Sequence, residues 1–261
     1  MCGRFALTIS PLELARQLDL PFEPDLQPRY NIAPSQQLPV LRRNDKGDRE
    51  LASMRWGLIP AWSKDTAIGN RMINARGETV AEKPSFRAAL KRRRCLVPAS
   101  GFYEWKQPED SNTKTADAGT KSEHTDTNFK KTGSVKKKGA RPVKQPFYIR
   151  PPGGSPDALF CFAGLWEHWT DKKNGEQIES FTIITTAAND FMRSIHDRMP
   201  VILDPTDFAR WLDPETTEGE KILELLRPCP SDKLQAYPVS TLVNNPRNDS
   251  DECLVPLVIE D

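Results

Sequence analysis

Cys2 is the residue whose chemistry is most specific to its place in the chain. It follows the initiator in Met1-Cys2-Gly3-Arg4-Phe5. Removal of Met1, which a small second residue permits, leaves a thiol and an α-amine on adjacent carbons. An α-amine has a pKa of about 7.7–8.0 and a thiol about 8.5, so both are partly nucleophilic near neutrality. Such a 1,2-aminothiol condenses with an aldehyde to an imine, which the thiol closes to a thiazolidine. An internal Cys cannot do this. The alternative is an early Cys with no chemistry of its own.

Four other stretches carry residue types suited to chemistry. In Gly101-Phe102-Tyr103-Glu104-Trp105 a strand puts Phe102 and Glu104 on one face, and the aromatic surroundings are expected to raise the Glu104 pKa toward proton transfer. The alternative is a strand-end Glu paired with an Arg. His196, in Ile195-His196-Asp197-Arg198-Met199-Pro200, is the best general acid–base candidate of three His, since His titrates nearest neutrality. A capping or core His is equally compatible. Asn74 and Arg76, in Asn74-Ala75-Arg76-Gly77-Glu78, offer an amide and a planar fork suited to phosphate, or ordinary turn chemistry. Trp62, at the end of Trp56-Gly57-Leu58-Ile59-Pro60-Ala61-Trp62, could stack on a nucleobase or belong to a core. The run Lys91-Arg92-Arg93-Arg94 could complement a helix dipole or line a backbone-binding groove.

The elements that must position these residues are short, as 23 Pro in 261 residues require. Ser10-Pro11 reads as an N-cap with Pro at the first helical position, opening a helix to about Leu18. Asp204-Pro205 reads likewise, for a helix carrying Phe208 and Trp211, and residues 219–227 are helical by period. Strands are expected at 38–42, 51–56, 95–104, 158–166 and 180–185, with another at Pro146-Phe147-Tyr148-Ile149. The near-continuous apolar run at 158–166 reads as a central strand. Strands and helices do not alternate regularly and no Gly-rich phosphate loop occurs. The pattern favours a single α+β domain around a mainly antiparallel, barrel-like sheet with short flanking helices.

Residues 107–145 stand apart. They contain six hydrophobic residues, five acids against two Lys over 107–127, and seven Lys or Arg with no acid over 128–144. Such a stretch cannot bury enough surface to offset its ordering entropy, so it reads as a disordered charged insertion between two strands. The basic stretch 136–141 reads as a nuclear address, a loose polyanion contact, or a solvated loop.

Composition narrows the class. A net charge of +1 advertises no global affinity for nucleic acid, so any such binding needs a local patch. Five Cys at 2, 95, 161, 229 and 253, widely spaced, argue against a disulfide framework and against a zinc site, so neither a metal nor a cofactor is expected. No secretory apolar region and no membrane-length apolar run occurs. The expectation is an intracellular protein with reduced thiols, nuclear if the source is eukaryotic and otherwise cytoplasmic or nucleoid-associated.

The motifs Met1-Cys2-Gly3-Arg4-Phe5, Arg29-Tyr30-Asn31-Ile32-Ala33-Pro34, Trp56 to Trp62, Ile73-Asn74-Ala75-Arg76, Gly101 to Trp105 and His196-Asp197-Arg198-Met199-Pro200 occur in that order. Together they resemble the SRAP (SOS-response-associated peptidase) family over essentially the whole chain outside 107–145. The resemblance implies a single compact α+β domain with a positively charged cleft for single-stranded DNA, in which abasic sites are shielded by covalent crosslinking. By resemblance Cys2 is the crosslinking residue, Asn74 positions the opened sugar, and Glu104 and His196 form the proton-transfer pair. Arg76 holds a flanking phosphate, and Arg4 and Trp62 help hold the DNA. The implied partner is single-stranded DNA containing abasic sites, met by a monomer, with replication-fork proteins as candidate partners. The loop between Trp62 and Asn74 has its own length and composition. Three rival readings remain. One is a thiol peptidase using Cys2, His196 and Glu104, for which self-removal of Met1 is the minimal case. Another is a non-covalent reader of modified DNA. The third is a structural or interaction protein, which needs neither a free N-terminus nor Glu104.

Overall fold

A computed structural model describes residues 2–107, 144–216 and 219–258. Twelve strands run in chain order: β1 (Phe5–Leu7), β2 (Arg29–Ile32), β3 (Gln37–Arg43), β4 (Arg49–Trp56), β5 (Asn74–Arg76), β6 (Arg94–Ala99), β7 (Gly101–Lys106), β8 (Gln145–Arg150), β9 (Phe160–Thr170), β10 (Gln177–Ala187), β11 (Arg198–Pro200) and β12 (Gln235–Pro238). Short helices flank them: α1 (Pro11–Leu18), α2 (Arg87–Arg92), α3 (Asp190–Arg193), α4 (Phe208–Leu212) and α5 (Gly219–Leu223).

The strands form two sheets. One has five strands in the order β12-β8-β7-β1-β2. The other runs β11-β10-β4-β3-β6-β9, and β9 pairs back onto β10, so β10, β4, β3, β6 and β9 close a five-stranded barrel. Closure removes the exposed edges that an open sheet of these strands would present. The β4–β10 pairing is parallel, and so is that of the short β5, which joins β10 with Asn74 opposite Ile183 and Arg76 opposite Thr185. This is the α+β, barrel-centred fold that the sequence pattern implies.

Sequence chemistry accounts for the element ends. Ser10 Oγ accepts the Glu13 amide at 3.3 Å, Pro11 fills the first helical position, and α1 stops at Asp19 in the left-handed region (φ 53°). The apolar run expected at 158–166 is β9, which extends to Thr170 and lies between β6 and β10. The single strand expected at 95–104 is instead two, β6 in the barrel and β7 in the other sheet. The chain changes sheets at Ser100, whose Oγ accepts the amides of Thr8 (2.9 Å) and Ile9 (3.2 Å). At the next residue a Cβ would lie 2.6 Å from the Ile149 carbonyl oxygen and against the Tyr148 ring, so only Gly101 lets β7 and β8 approach. The helix expected to open at Asp204-Pro205 begins as one 3₁₀ turn and becomes α4 at Phe208. The helix expected over 219–227 is regular only to Leu223. Apart from Gln107, Lys144 and Gln145, which opens β8, the charged segment 107–145 lies outside the described residues, as does the basic stretch 136–141.

The main core fills the barrel and the space between the sheets. Phe5 of β1 packs edge-on against Trp56 (5.1 Å between centroids) and Phe162 (6.0 Å), and Trp56 stacks on Phe181. These contacts lock the start of the chain onto the barrel and fix where Cys2 must lie.

Candidate active site

The residues singled out by type come together where the two sheets meet. Cys2 leads into β1 and Glu104 lies on β7, its neighbour in the five-stranded sheet. Asn74 opens β5, and His196 lies two residues before β11; both strands pair with β10 of the barrel sheet. Across this seam Asn74 Nδ2 donates to the Cys2 carbonyl at 2.8 Å. His196 Nε2 lies 3.9 Å from Glu104 Oε2. The loop carrying His196 is pinned by its backbone: its amide donates to Met192 O at 2.8 Å, and the Ala188 amide donates to Asp197 O at 3.0 Å.

Burial governs the electrostatics. Cys2 is wholly buried, and desolvation, followed by the nearby Glu104 charge, pushes its thiol well above the usual range. Glu104 is 2% exposed, and burial raises its pKa from 4.5 to about 7. Burial also lowers the pKa of His196. In both members of the pair burial thus disfavours the charged form. Asn74 Oδ1 is buried and accepts no hydrogen bond among the described residues, so an acceptor is aimed at the site beside Cys2.

A cleft of about 610 Å³ opens beside His196, lined by Trp105, Lys106, Gln107, Arg193 and the stretch 194–197. Its charged lining is mixed: Lys106 from β7, and Arg193 and Asp197 from the segment that carries His196, with Arg193 paired to Asp190 at 2.8 Å. Arg76 is exposed at the end of β5, on the same strand face as Asn74. Trp62 is 60% exposed on a loop that Trp169 holds by donating to Ser63 O at 2.9 Å. Arg4 is placed differently from a free DNA contact. Its Nη1 donates to Asn31 Oδ1 and Val243 O, both at 2.7 Å, which ties the first strand to the C-terminal segment. Asn31 is fully buried, and its amide nitrogen donates to the carbonyls of Val243, Asn245 and Asn248.

The basic run 91–94 resolves toward structure at its end. Arg94 is buried, donating to the carbonyls of Leu90, Lys91, Trp211 and Asp213, and so caps the ends of α2 and α4. Arg93 pairs with Glu167 at 2.7 Å. His168 lies on β9, its ring 3.3 Å from Thr170 Oγ1. Sequence reasoning missed Asp197 and the Arg198 amide, both of which touch His196. A backbone donor leaves no signal in residue type. Among the described residues no group of His, Cys, Asp and Glu could hold a metal ion, and no helix is long and apolar enough to cross a membrane.

The fold and site define a class: a barrel-centred α+β protein with a buried thiol, a buried carboxyl and a half-buried imidazole gathered near the start of its first strand. A family model described as SOS response associated peptidase (SRAP) matches residues 1–125 and 134–246, and the chain belongs to that family. The match leaves out only 126–133 internally, so it reaches further into the charged segment than the motifs do. Among relatives, "Abasic site processing protein YoaM" of Bacillus subtilis is 42% identical, covering 97% of each chain. "Abasic site processing protein HMCES" of Xenopus tropicalis is 31% identical over 99% of this chain and 79% of its own. A crystal structure of a protein from Bacteroides thetaiotaomicron superimposes with a TM-score of 0.74 at 27% identity, covering 98% of this chain and all (100%) of that one.

Proposed function

We propose that the protein captures abasic sites in single-stranded DNA as a covalent adduct on Cys2. The observation that carries this reading is the convergence of Cys2, Asn74, Glu104 and His196 from four separate segments onto one seam, with Cys2 and Glu104 buried and Asn74 and His196 at its edge. Two relatives are named for abasic site processing, which supports the same substrate. An abasic deoxyribose equilibrates between a hemiacetal and an open aldehyde, the electrophile an aminothiol prefers.

His196 protonates the ring oxygen as its bond to C1′ breaks, and Glu104 takes the proton of the C1′ hydroxyl. The α-amine of Cys2, freed by loss of Met1, adds to C1′, and water leaves to give the imine. The thiol then adds to the same carbon, its proton passing through Glu104 to the nitrogen. The raised thiol pKa fits this order, because the buried thiol stays protonated while the amine attacks. The imine acidifies the C2′ protons, so strand-cleaving β-elimination competes with ring closure. Asn74 positions the opened sugar, and the exposed Arg76 and Trp62 guide the strand, while Arg4 acts through the structure by tying the start of the chain to the C-terminal segment.

The same raised pKa disfavours a general thiol peptidase, whose nucleophile needs a depressed one. Self-removal of Met1 is intramolecular and tolerates a poorer nucleophile. Intact mass spectrometry of the protein mixed with an abasic oligonucleotide tests the proposal. The wild type is expected to lack Met1 and to gain the mass of the oligonucleotide less one water. Cys2→Ala is expected to form no heat-stable adduct. A stable adduct on Cys2→Ala, or one on protein that retains Met1, overturns the mechanism.

A further inference from the structure

Two groups compete for one ring nitrogen of His196. The Arg198 amide lies 2.9 Å from Nδ1, and Asp197 Oδ1 lies 2.8 Å from the same atom. An amide can only donate, so it requires a lone pair on Nδ1; an ionised carboxylate can only accept, so it requires a proton there. One nitrogen cannot satisfy both at once. The amide therefore serves the neutral ring and the carboxylate serves the cation.

We infer that Asp197 and the Arg198 amide are positioning groups that put the mobile proton of His196 on Nε2, facing Glu104, and that Asp197 holds the second proton on Nδ1 when the ring is cationic. In the neutral ring the amide occupies the Nδ1 lone pair, so the proton is on Nε2. In the cation both nitrogens carry protons, and the Nε2 proton is the one that can leave into the site. As it passes to the sugar ring oxygen, Nδ1–H remains on Asp197. His196 is thus a donor, and the role of base falls to Glu104. Rigid placement of the amide is built in. The Arg198 side chain is anchored by Glu78 (2.5 and 3.0 Å) and by Thr185 O (2.7 Å), which clamps β11 to β10. The Asp197 side chain by contrast is 86% exposed, and its carboxylate already lies within hydrogen-bond reach of Nδ1.

The charges facing His196 are Glu104 and Lys106 of β7, Lys144 just before β8, Arg193 and Asp197 of its own segment, and the amino end of the chain. Asp197 and Glu104 favour the cation and the others oppose it. An exposed carboxylate contributes modestly, so its removal is expected to lower the His196 pKa by roughly half a pH unit, a change of about threefold.

The inference rests on the abasic-site reading, but one arm of its test does not. Imidazole ¹⁵N NMR of the full chain without DNA, for wild type, Asp197→Asn and Asp197→Glu, reads the tautomer and the pKa directly. The expected result is an Nε2–H neutral ring throughout, a lower pKa in Asp197→Asn, and recovery in Asp197→Glu. Single-turnover adduct formation at pH 7 should fall about threefold in Asp197→Asn with oligonucleotide affinity unchanged, and the two should converge at low pH. An Nδ1–H neutral tautomer, or Asp197→Asn with the pKa and rate profile of wild type, overturns the inference. A wild type that forms no adduct at any pH sinks the abasic-site reading instead, and the NMR result still decides the placement of the proton.

Discussion

Replacing Glu104 by Gln should stabilise the fold while disabling the site. Burial raises the Glu104 pKa from 4.5 to about 7. Below about 4.5 the carboxyl is protonated in both folded and unfolded chains, and its stabilising preference for the neutral form is fully present. As pH rises toward 7 the unfolded chain ionises while the folded one resists, so stability is lost. Above 7 the loss levels off at about 3 kcal/mol, at about 1.4 kcal/mol per pH unit. Gln keeps the shape without the charge. Glu104→Gln is therefore expected to match wild type near pH 4.5 and exceed it by up to about 3 kcal/mol at pH 8. For a chain of this size that is roughly 6–12 °C in Tm. His196 contributes in the opposite sense, since its lowered pKa gives stability that is lost as pH falls below about 6.5. The quantity to follow is accordingly the difference in urea midpoint between wild type and variant at each pH. Adduct formation by the variant should be slower by about 100-fold or more, the usual loss on removing a general base. A difference in midpoint that does not change between pH 4.5 and pH 8 would refute the claim that Glu104 is held neutral by burial.

Two further outcomes test how the site is supported. Arg94→Ala removes a buried guanidinium that serves four carbonyls at the ends of α2 and α4, and should cost about 3 kcal/mol by urea denaturation. Arg94→Lys should not recover it, because one ammonium cannot span both helix ends. Gly101→Ala drives a methyl into Ile149 O and the Tyr148 ring, and should cost about 2 kcal/mol while slowing adduct formation, since it displaces the strand that carries Glu104.

The parts of this fold legible in the sequence are those whose residues repeat a local period. The apolar run of β9, the alternation in β3 and β4, and the Ser10-Pro11 cap all announce themselves. Strands of three or four residues do not: β1, β2, β5, β11 and β12 exist because a neighbour supplies their hydrogen bonds, and no period fits in so short a span. The break at Ser100 was hidden for a different reason. Its cause is a hydroxyl serving two amides about 90 positions away, a tertiary effect with no local trace. The site divides in the same manner. Cys2, Asn74, Glu104 and His196 are visible as types able to do chemistry, but Arg94 was indistinguishable from its surface neighbours in a basic run, and Arg4 looks free until Asn31 is placed beside it.

The placement of the four residues has its own consequence. Cys2 and Glu104 belong to the five-stranded sheet, whereas Asn74 and His196 belong to strands or loops hung on β10 of the barrel. The proposed nucleophile and base thus sit on one body, and the proposed acid and sugar-positioning amide on the other. Their register depends on the packing of Phe5 against Trp56 and Phe162 and on the hydrogen bond from Asn74 to Cys2. An abasic sugar bound across the seam would touch both bodies at once. Glu104 is already 2% exposed, so such binding would act on proton transfer through the 3.9 Å gap between His196 and Glu104, which spans the seam, and not through further desolvation.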